Sequence, residues 1–149
     1  MTDFWRGWLA IWCLAVGAFG AVLIGGAFAA TDVLVRALLD MMNGSAPLEM
    51  TVPLRFALAL MGAVTLGWAV SLYAAIRAAD LLGERGQPIW RMLTAGVVGW
   101  YIVDSALSVA TGFGLNAASN TIFLIAFLWP VLASGVLGVS SSRGAFPAR

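Results

Sequence analysis

Long apolar runs separated by short polar segments make up almost the whole chain. Four of these runs reach the length of about 20 apolar residues that a helix needs to cross a bilayer. They cover positions 5–30, 53–76, 89–112 and 117–139. Residues 1–149 are therefore predicted to form one all-α integral membrane domain, a bundle of four spanning helices.

The first run also invites comparison with a secretory signal peptide, because the stretch "AFAATD" resembles a small-residue cleavage site. The run is longer than the apolar region of a typical signal peptide. We therefore expect it to stay in the protein as the first spanning helix, and its removal is the less favoured alternative.

Composition supports a membrane protein and removes several kinds of chemistry. The chain is 62% hydrophobic and 10% charged, whereas soluble domains carry about 25% charged residues. Histidine is absent and Cys13 is the only cysteine, so an intrachain disulfide, a CxxC pair and the usual haem, zinc and copper sites are excluded. We expect no cofactor bound by this chain alone, although contact with pigments or cofactors held by another chain stays compatible with the sequence.

The basic residues predict the orientation in the membrane. All eight are arginine, which is typical of a GC-rich bacterial genome, and the net charge of +1 gives no sign of nucleic-acid binding. Two arginines, Arg36 and Arg55, lie in or beside the first loop, and the other six fall in the N-terminus, the middle loop and the C-terminal tail: Arg6, Arg77, Arg85, Arg91, Arg143 and Arg149. The positive-inside rule then predicts a multi-pass protein of the bacterial inner membrane with both termini in the cytoplasm.

The first loop contains a short amphipathic segment. Apolar residues recur at helical spacing from Val33 to Met42, and Asp32, Arg36 and Asp40 follow one another at intervals of four, where opposite charges support a helix. This pattern predicts a short helix on the outer membrane surface, between spanning helices one and two. The alternative is that the segment extends the first spanning helix beyond the bilayer.

Small residues at intervals of four predict where the helices approach each other closely. The first spanning helix has Gly17, Ala21 and Gly25 at this spacing, and the second has Ala63, Gly67 and Ser71. Small residues let helix backbones come close in lipid. We therefore expect contacts along these stripes, most simply between helices one and two. Pro130 predicts a kink in the fourth spanning helix because it removes one hydrogen bond.

A carboxylate interrupts the third apolar run. Asp104 lies past the middle of that run, where a charge costs about 2.5 to 3.5 kcal/mol on insertion scales. Several polar residues of the last hairpin fall near it by helical spacing across a very short loop: Ser105, Ser108, Asn116 and Asn120. Arg55 is the nearest plausible countercharge. We therefore expect a polar cluster in the outer half of the bundle, with Arg55 paired to Asp104 directly or through water.

Three roles are open for this cluster. These are a structural clasp that fixes the helix arrangement, a site for a small ligand or ion, and a contact with a partner subunit. Ser105 and Ser108 have no base beside them in the sequence, so hydrolysis is the least supported chemistry.

Two stretches resemble a known group of proteins. The run "LRFALALMGAVTLGWAVSLY" together with "DSALSVATGFGLNAASNTIFL" is similar to small four-helix bacterial inner-membrane proteins of unknown function, loosely DoxX-like. The similarity covers roughly residues 50 to 130. It implies an inner-membrane helical bundle and no activity that transfers to particular residues.

The sequence therefore favours a non-enzymatic integral membrane protein. It would act as an accessory or scaffolding subunit of a membrane complex, or as a small self-associating bundle, with the lipid bilayer and other membrane subunits or its own copies as partners. The alternative is a small transporter or channel component with a polar site around Asp104 and Asn120.

Overall fold

A computed structural model describes residues 1–43 and 49–138. In those residues all regular structure is helical, which confirms the all-α prediction. The elements are α1 (Asp3–Gly25), α2 (Val33–Asn43), α3 (Val52–Leu81), a 3₁₀ turn (Gly83–Gly86), α4 (Gln87–Ala110) and α5 (Gly114–Ala133). Within the described part of the chain, four helices, α1, α3, α4 and α5, are long and apolar enough to cross a membrane, as predicted. These four helices indicate a multi-pass membrane protein.

The helix ends differ from the predicted ones where side chains supply the terminal hydrogen bonds. α1 ends at Gly25, five residues early, and Thr31 Oγ1 donates a hydrogen bond to the carbonyl of Gly25 at 2.7 Å. α3 begins after Thr51, whose hydroxyl accepts from the N–H of Leu54, and it continues to Leu81 beyond the predicted end at 76. α5 ends at Ala133, short of its predicted end, because residues 134–138 form a turn; position 139 itself lies outside the described residues.

α2 is a separate helix, so the alternative in which it merely extends α1 is wrong. A turn across residues 26–32 separates the two helices. Val35 of α2 is fully buried against Leu23 of α1 and Leu58 of α3. On the adjoining side of α2, Val33, Leu34 and Met41 are exposed.

α1 and α3 make the closest contact between long helices. A Cβ added at Gly62 of α3 would lie 2.5 Å from the carbonyl oxygen of Gly20 and 2.6 Å from the backbone nitrogen of Ile24. Such distances leave no room for a side chain, so backbone lies directly on backbone at this crossing. Gly17 also faces α3, with its Cβ position 3.6 Å from Ala69.

The expected pairing of these two helices is present, but most of the predicted small-residue stripe does not form it. Ala21, Ala63, Gly67 and Ser71 are exposed, and the nearest neighbour of Gly25 is the carbonyl of Thr31. A step of four residues rotates about 40° around a helix, so such a stripe winds away from a straight partner. The buried positions of α3 instead alternate mainly between steps of four and three: Leu58, Gly62, Ala69, Leu72, Ile76 and Ala79.

Two tryptophans attach α5 to α1. The indole N–H of Trp8 donates to the carbonyl of Ala126 at 2.8 Å, and that of Trp12 donates to the carbonyl of Phe123 at 2.9 Å. Pro130 lies four residues after Ala126 inside α5 and has no N–H to offer that carbonyl. The Trp8 indole therefore supplies the hydrogen bond that the proline removes.

The contact between α1 and α3 gives a test with a control on the same helix. Gly62→Ala is expected to destabilise the protein by about 1–3 kcal/mol, because its methyl group overlaps the backbone of α1. Gly67→Ala should keep or slightly raise the midpoint, since nothing lies within 4 Å of its Cβ position and alanine favours a helix over glycine. The measurement is the thermal unfolding midpoint of both variants in the same detergent. Equal midpoints for the two variants would contradict the close approach.

Candidate functional site

The last hairpin brings the polar residues of α4 and α5 together. Asp104 and Ser108 are one turn apart on α4, and Asn116 and Asn120 are one turn apart on α5. Gly112, with φ of +88°, allows the sharp reversal between the two helices. The N–H of Phe113 closes the turn on the carbonyl of Ser108 at 2.7 Å. The two polar pairs consequently face each other.

Hydrogen bonds to one carboxylate oxygen organise this cluster. Asn120 donates from Nδ2 to Asp104 Oδ2 at 2.7 Å, and Asn116 donates from Nδ2 to the same oxygen at 3.4 Å. Asn116 also donates to the hydroxyl of Ser108 at 2.8 Å, and Asn120 to that of Ser105 at 3.4 Å. Ser108 in turn donates to the backbone carbonyl of Asp104 at 2.7 Å. Five of the six residues predicted for the polar cluster thus lie together.

Burial fixes the amides in this arrangement. Asn120 is 6% exposed and Ser108 is 7% exposed, while Asp104, Ser105 and Asn116 are half-buried. Both amides bond to Oδ2, and within residues 1–43 and 49–138 the other oxygen, Oδ1, receives no hydrogen bond. Asp104 is therefore held through Oδ2, and Oδ1 is left to accept a further donor.

Arg55 does not belong to this cluster, which corrects the expected pair with Asp104. Its Nη2 donates to Asp32 Oδ2 at 2.8 Å, and its Nη1 donates to the carbonyl of Gly26 at 3.1 Å. The turn after α1 folds back over the start of α3 and brings Asp32 there. The fold of this turn does not follow from the apolar runs, so the sequence did not reveal Asp32 as the partner of Arg55.

Asp32 holds two arginines at once. Arg36 Nε lies 2.9 Å from the same carboxylate oxygen, at the four-residue spacing that the sequence indicated. Asp32 is only 3% exposed. Burial alone would raise the pKa of this carboxyl, but the hydrogen bonds from Arg55 and Arg36 outweigh that effect and lower the pKa below its ordinary value. The ion pairs fasten α2 and the preceding turn to α3.

A second ion pair joins α1 and α3 at their opposite ends. Arg6 Nε lies 2.7 Å from Asp80 Oδ2, and Arg6 Nη1 lies 2.7 Å from Asp3 Oδ1. This pair sets the start of α1 beside the end of α3, so the two helices are antiparallel. In the described part of the chain, no group of three or more His, Cys, Asp or Glu residues is placed to hold a metal ion.

A double-mutant cycle tests the corrected ion pair. Arg55→Gln and Asp32→Asn should each lower the thermal midpoint by about 2–4 °C or more, and the double variant should lose less than the sum. A cycle between Arg55 and Asp104 should show no coupling. Coupling to Asp104 instead of Asp32 would contradict the structure.

The same ion pair predicts a pH dependence. Because the pKa of Asp32 is lowered in the folded protein, the stability that ionised Asp32 adds is complete above about pH 4. This stability is lost as the pH falls further, through the lowered pKa.

Comparison with known proteins adds no family to this description. No family model matches the chain, and neither a curated protein nor a solved structure matches it.

Proposed function

We propose that the protein is a multi-pass protein of the bacterial inner membrane, a four-helix bundle with both termini in the cytoplasm. Arg6 pairs with Asp80, which sets the start of α1 beside the end of α3. Arg77, Arg85 and Arg91 flank the connection from α3 to α4. That end of the long helices therefore carries most of the positive charge among the described residues, which supports a cytoplasmic location for it.

The proposal puts α2 on the outer membrane surface. One half of its apolar arc packs on the protein through Val35, and the neighbouring half exposes Val33, Leu34 and Met41. Arg36 and Asp40 lie on the remaining polar side. A helix with this distribution is stable at an interface, with its free apolar strip in the acyl region and its charges in water.

We further propose that the protein is a non-catalytic accessory or self-associating subunit. The observation that carries this proposal is a set of small residues on α3 and α4 that face away from the chain. Nothing lies within 4 Å of the Cβ positions of Gly67 on α3 or of Gly96 and Gly99 on α4, and all three glycines are exposed. Of the four long helices, α4 is the least buried. Smooth exposed faces of this kind favour the close approach of another spanning helix.

A transporter or channel component is the second candidate. It is favoured by one observation, the half-buried Asp104 with a carboxylate oxygen left open inside an apolar helix. The other charged side chains of α1, α3, α4 and α5 lie near the ends of those helices. The accessory role is preferred because α4 and α5 supply one acid to the cluster and no second titrating group beside it.

Cysteine labelling tests the orientation. In a Cys13→Ala background, a cysteine at exposed Asp40 should react with an impermeant maleimide in intact spheroplasts, because α2 would lie outside. A cysteine at exposed Glu84 should react only after permeabilisation. Both positions lie outside the long apolar segments, so they form a matched pair. Labelling of both sites from the same side would reject the topology.

The native mass tests the subunit role. The protein extracted from its own membranes in polymer nanodiscs should have a protein mass at least about twice that of one chain, since the smooth faces of α3 and α4 are proposed to be covered. Gly96→Leu combined with Gly99→Leu should reduce this mass toward one chain. Gly114→Leu is the control, because its Cβ position is also open but lies at the start of α5. A wild-type mass of one chain would contradict the proposal.

A further inference from the structure

We propose that Asp104 is the contact point for a basic side chain carried by a spanning helix of the partner, which packs along the exposed face of α4. The inference rests on the proposed subunit role and adds the chemistry of the partner. It follows from three features of the site: the charge balance, the open carboxylate oxygen and the surface beside it.

No cation of the described chain neutralises Asp104. The ion pairs found in residues 1–43 and 49–138 involve Asp3, Asp32 and Asp80 as the acidic side chains. Arg91 lies on α4 itself, but 13 residues earlier, which corresponds to about 20 Å along the helix. A carboxylate at this depth is expensive unless it meets an opposite charge. Residues 1–43 and 49–138 thus supply no countercharge for Asp104, and a basic residue of a partner helix is the source that the proposal assigns.

The geometry of the cluster selects the kind of cation. Asn116 and Asn120 turn their N–H groups toward Asp104, Ser108 and Ser105, so the hydroxyl oxygens already accept hydrogen bonds. A bare metal ion prefers a shell of about six free oxygens, and this cluster does not offer one. Asp104 Oδ1 is instead open to a directed donor, which suits an ammonium or guanidinium group.

The surface beside Asp104 admits a helix. Val103 and Leu107, next to Asp104 on α4, are each 59% exposed. Gly96, Gly99 and Ala106 continue the exposed side and carry little or no side chain. Asp104 lies six residues before the end of α4 at Ala110, about 9 Å along the helix. The partner helix should therefore carry its Arg or Lys about two turns from its outer end.

Photo-cross-linking in native membranes tests the inference. A benzophenone amino acid at Val103 should give an adduct with a spanning segment that contains Arg or Lys. Asp104→Asn should lower the adduct yield at least about tenfold, whereas Asp104→Glu should largely retain it. Asp40→Asn, an exposed acid on α2, serves as the control and should leave the yield unchanged. Replacing the partner's basic residue by Gln should cause the same loss, and this variant leaves the present chain intact if Asp104→Asn does not fold.

The outcomes distinguish the ion-pair contact from the proposed subunit role on which it rests. An adduct whose yield does not depend on Asp104, or a cross-linked segment without a basic residue, would overturn the ion-pair contact and leave the subunit role standing. No adduct from Val103, together with a native mass of one chain, would contradict both. Rescue of Asp104→Lys by an acidic residue at the partner position would support the contact directly.

Discussion

The backbone contact of Gly20 with Gly62 is the constraint on which the rest of the fold depends. A helix pair in lipid gains little from hydrophobicity, so its stability comes from close packing. That packing requires both glycines, since a Cβ at either position would lie within 3 Å of the opposite backbone. Ion pairs then hold the pair at both ends, Arg6 with Asp80 and Arg55 with Asp32. One backbone contact and an ion pair at each end thus define the antiparallel pair of α1 and α3.

The other helices pack on this pair through a shared apolar core, and a few hydrogen bonds and aromatic contacts orient them. α5 is attached to α1 through the indoles of Trp8 and Trp12, which donate to its backbone carbonyls. α4 is attached to α5 by the amides around Asp104 and to α3 by a tilted contact of Trp68 with Trp100, whose ring centroids are 5.5 Å apart. Directional contacts of this kind fix orientation in a medium where apolar contacts with lipid compete equally well.

The sequence predicted what depends on length and local spacing. The four long apolar helices followed from run lengths, and the grouping of Asp104, Ser108, Asn116 and Asn120 followed from helical spacing across a short loop. The face of α3 that meets α1 did not follow, because small residues occur on several of its faces and only the partner selects one. The partner of Arg55 was also missed, since Asp32 reaches it only after the turn at residues 26–32 folds back. Both outcomes depend on contacts between residues far apart in the sequence, and the residue pattern of one helix does not reveal such contacts.

Asp32 and Asp104 show how position along the helices decides the means of stabilising a carboxylate. Asp32 lies outside the long apolar helices, where arginine side chains reach both water and the carboxylate, and two of them bond to it. Asp104 lies within α4, and the donors nearest to it are the amides of Asn116 and Asn120. An amide is neutral, so placing it in the membrane does not cost the free energy of inserting a second ion. It also leaves the negative charge of the carboxylate without a countercharge. In the Asp32 ion pairs the countercharge comes from arginines of the same chain. An amide clasp holds the carboxylate in place and leaves neutralisation to whatever contacts the remaining oxygen.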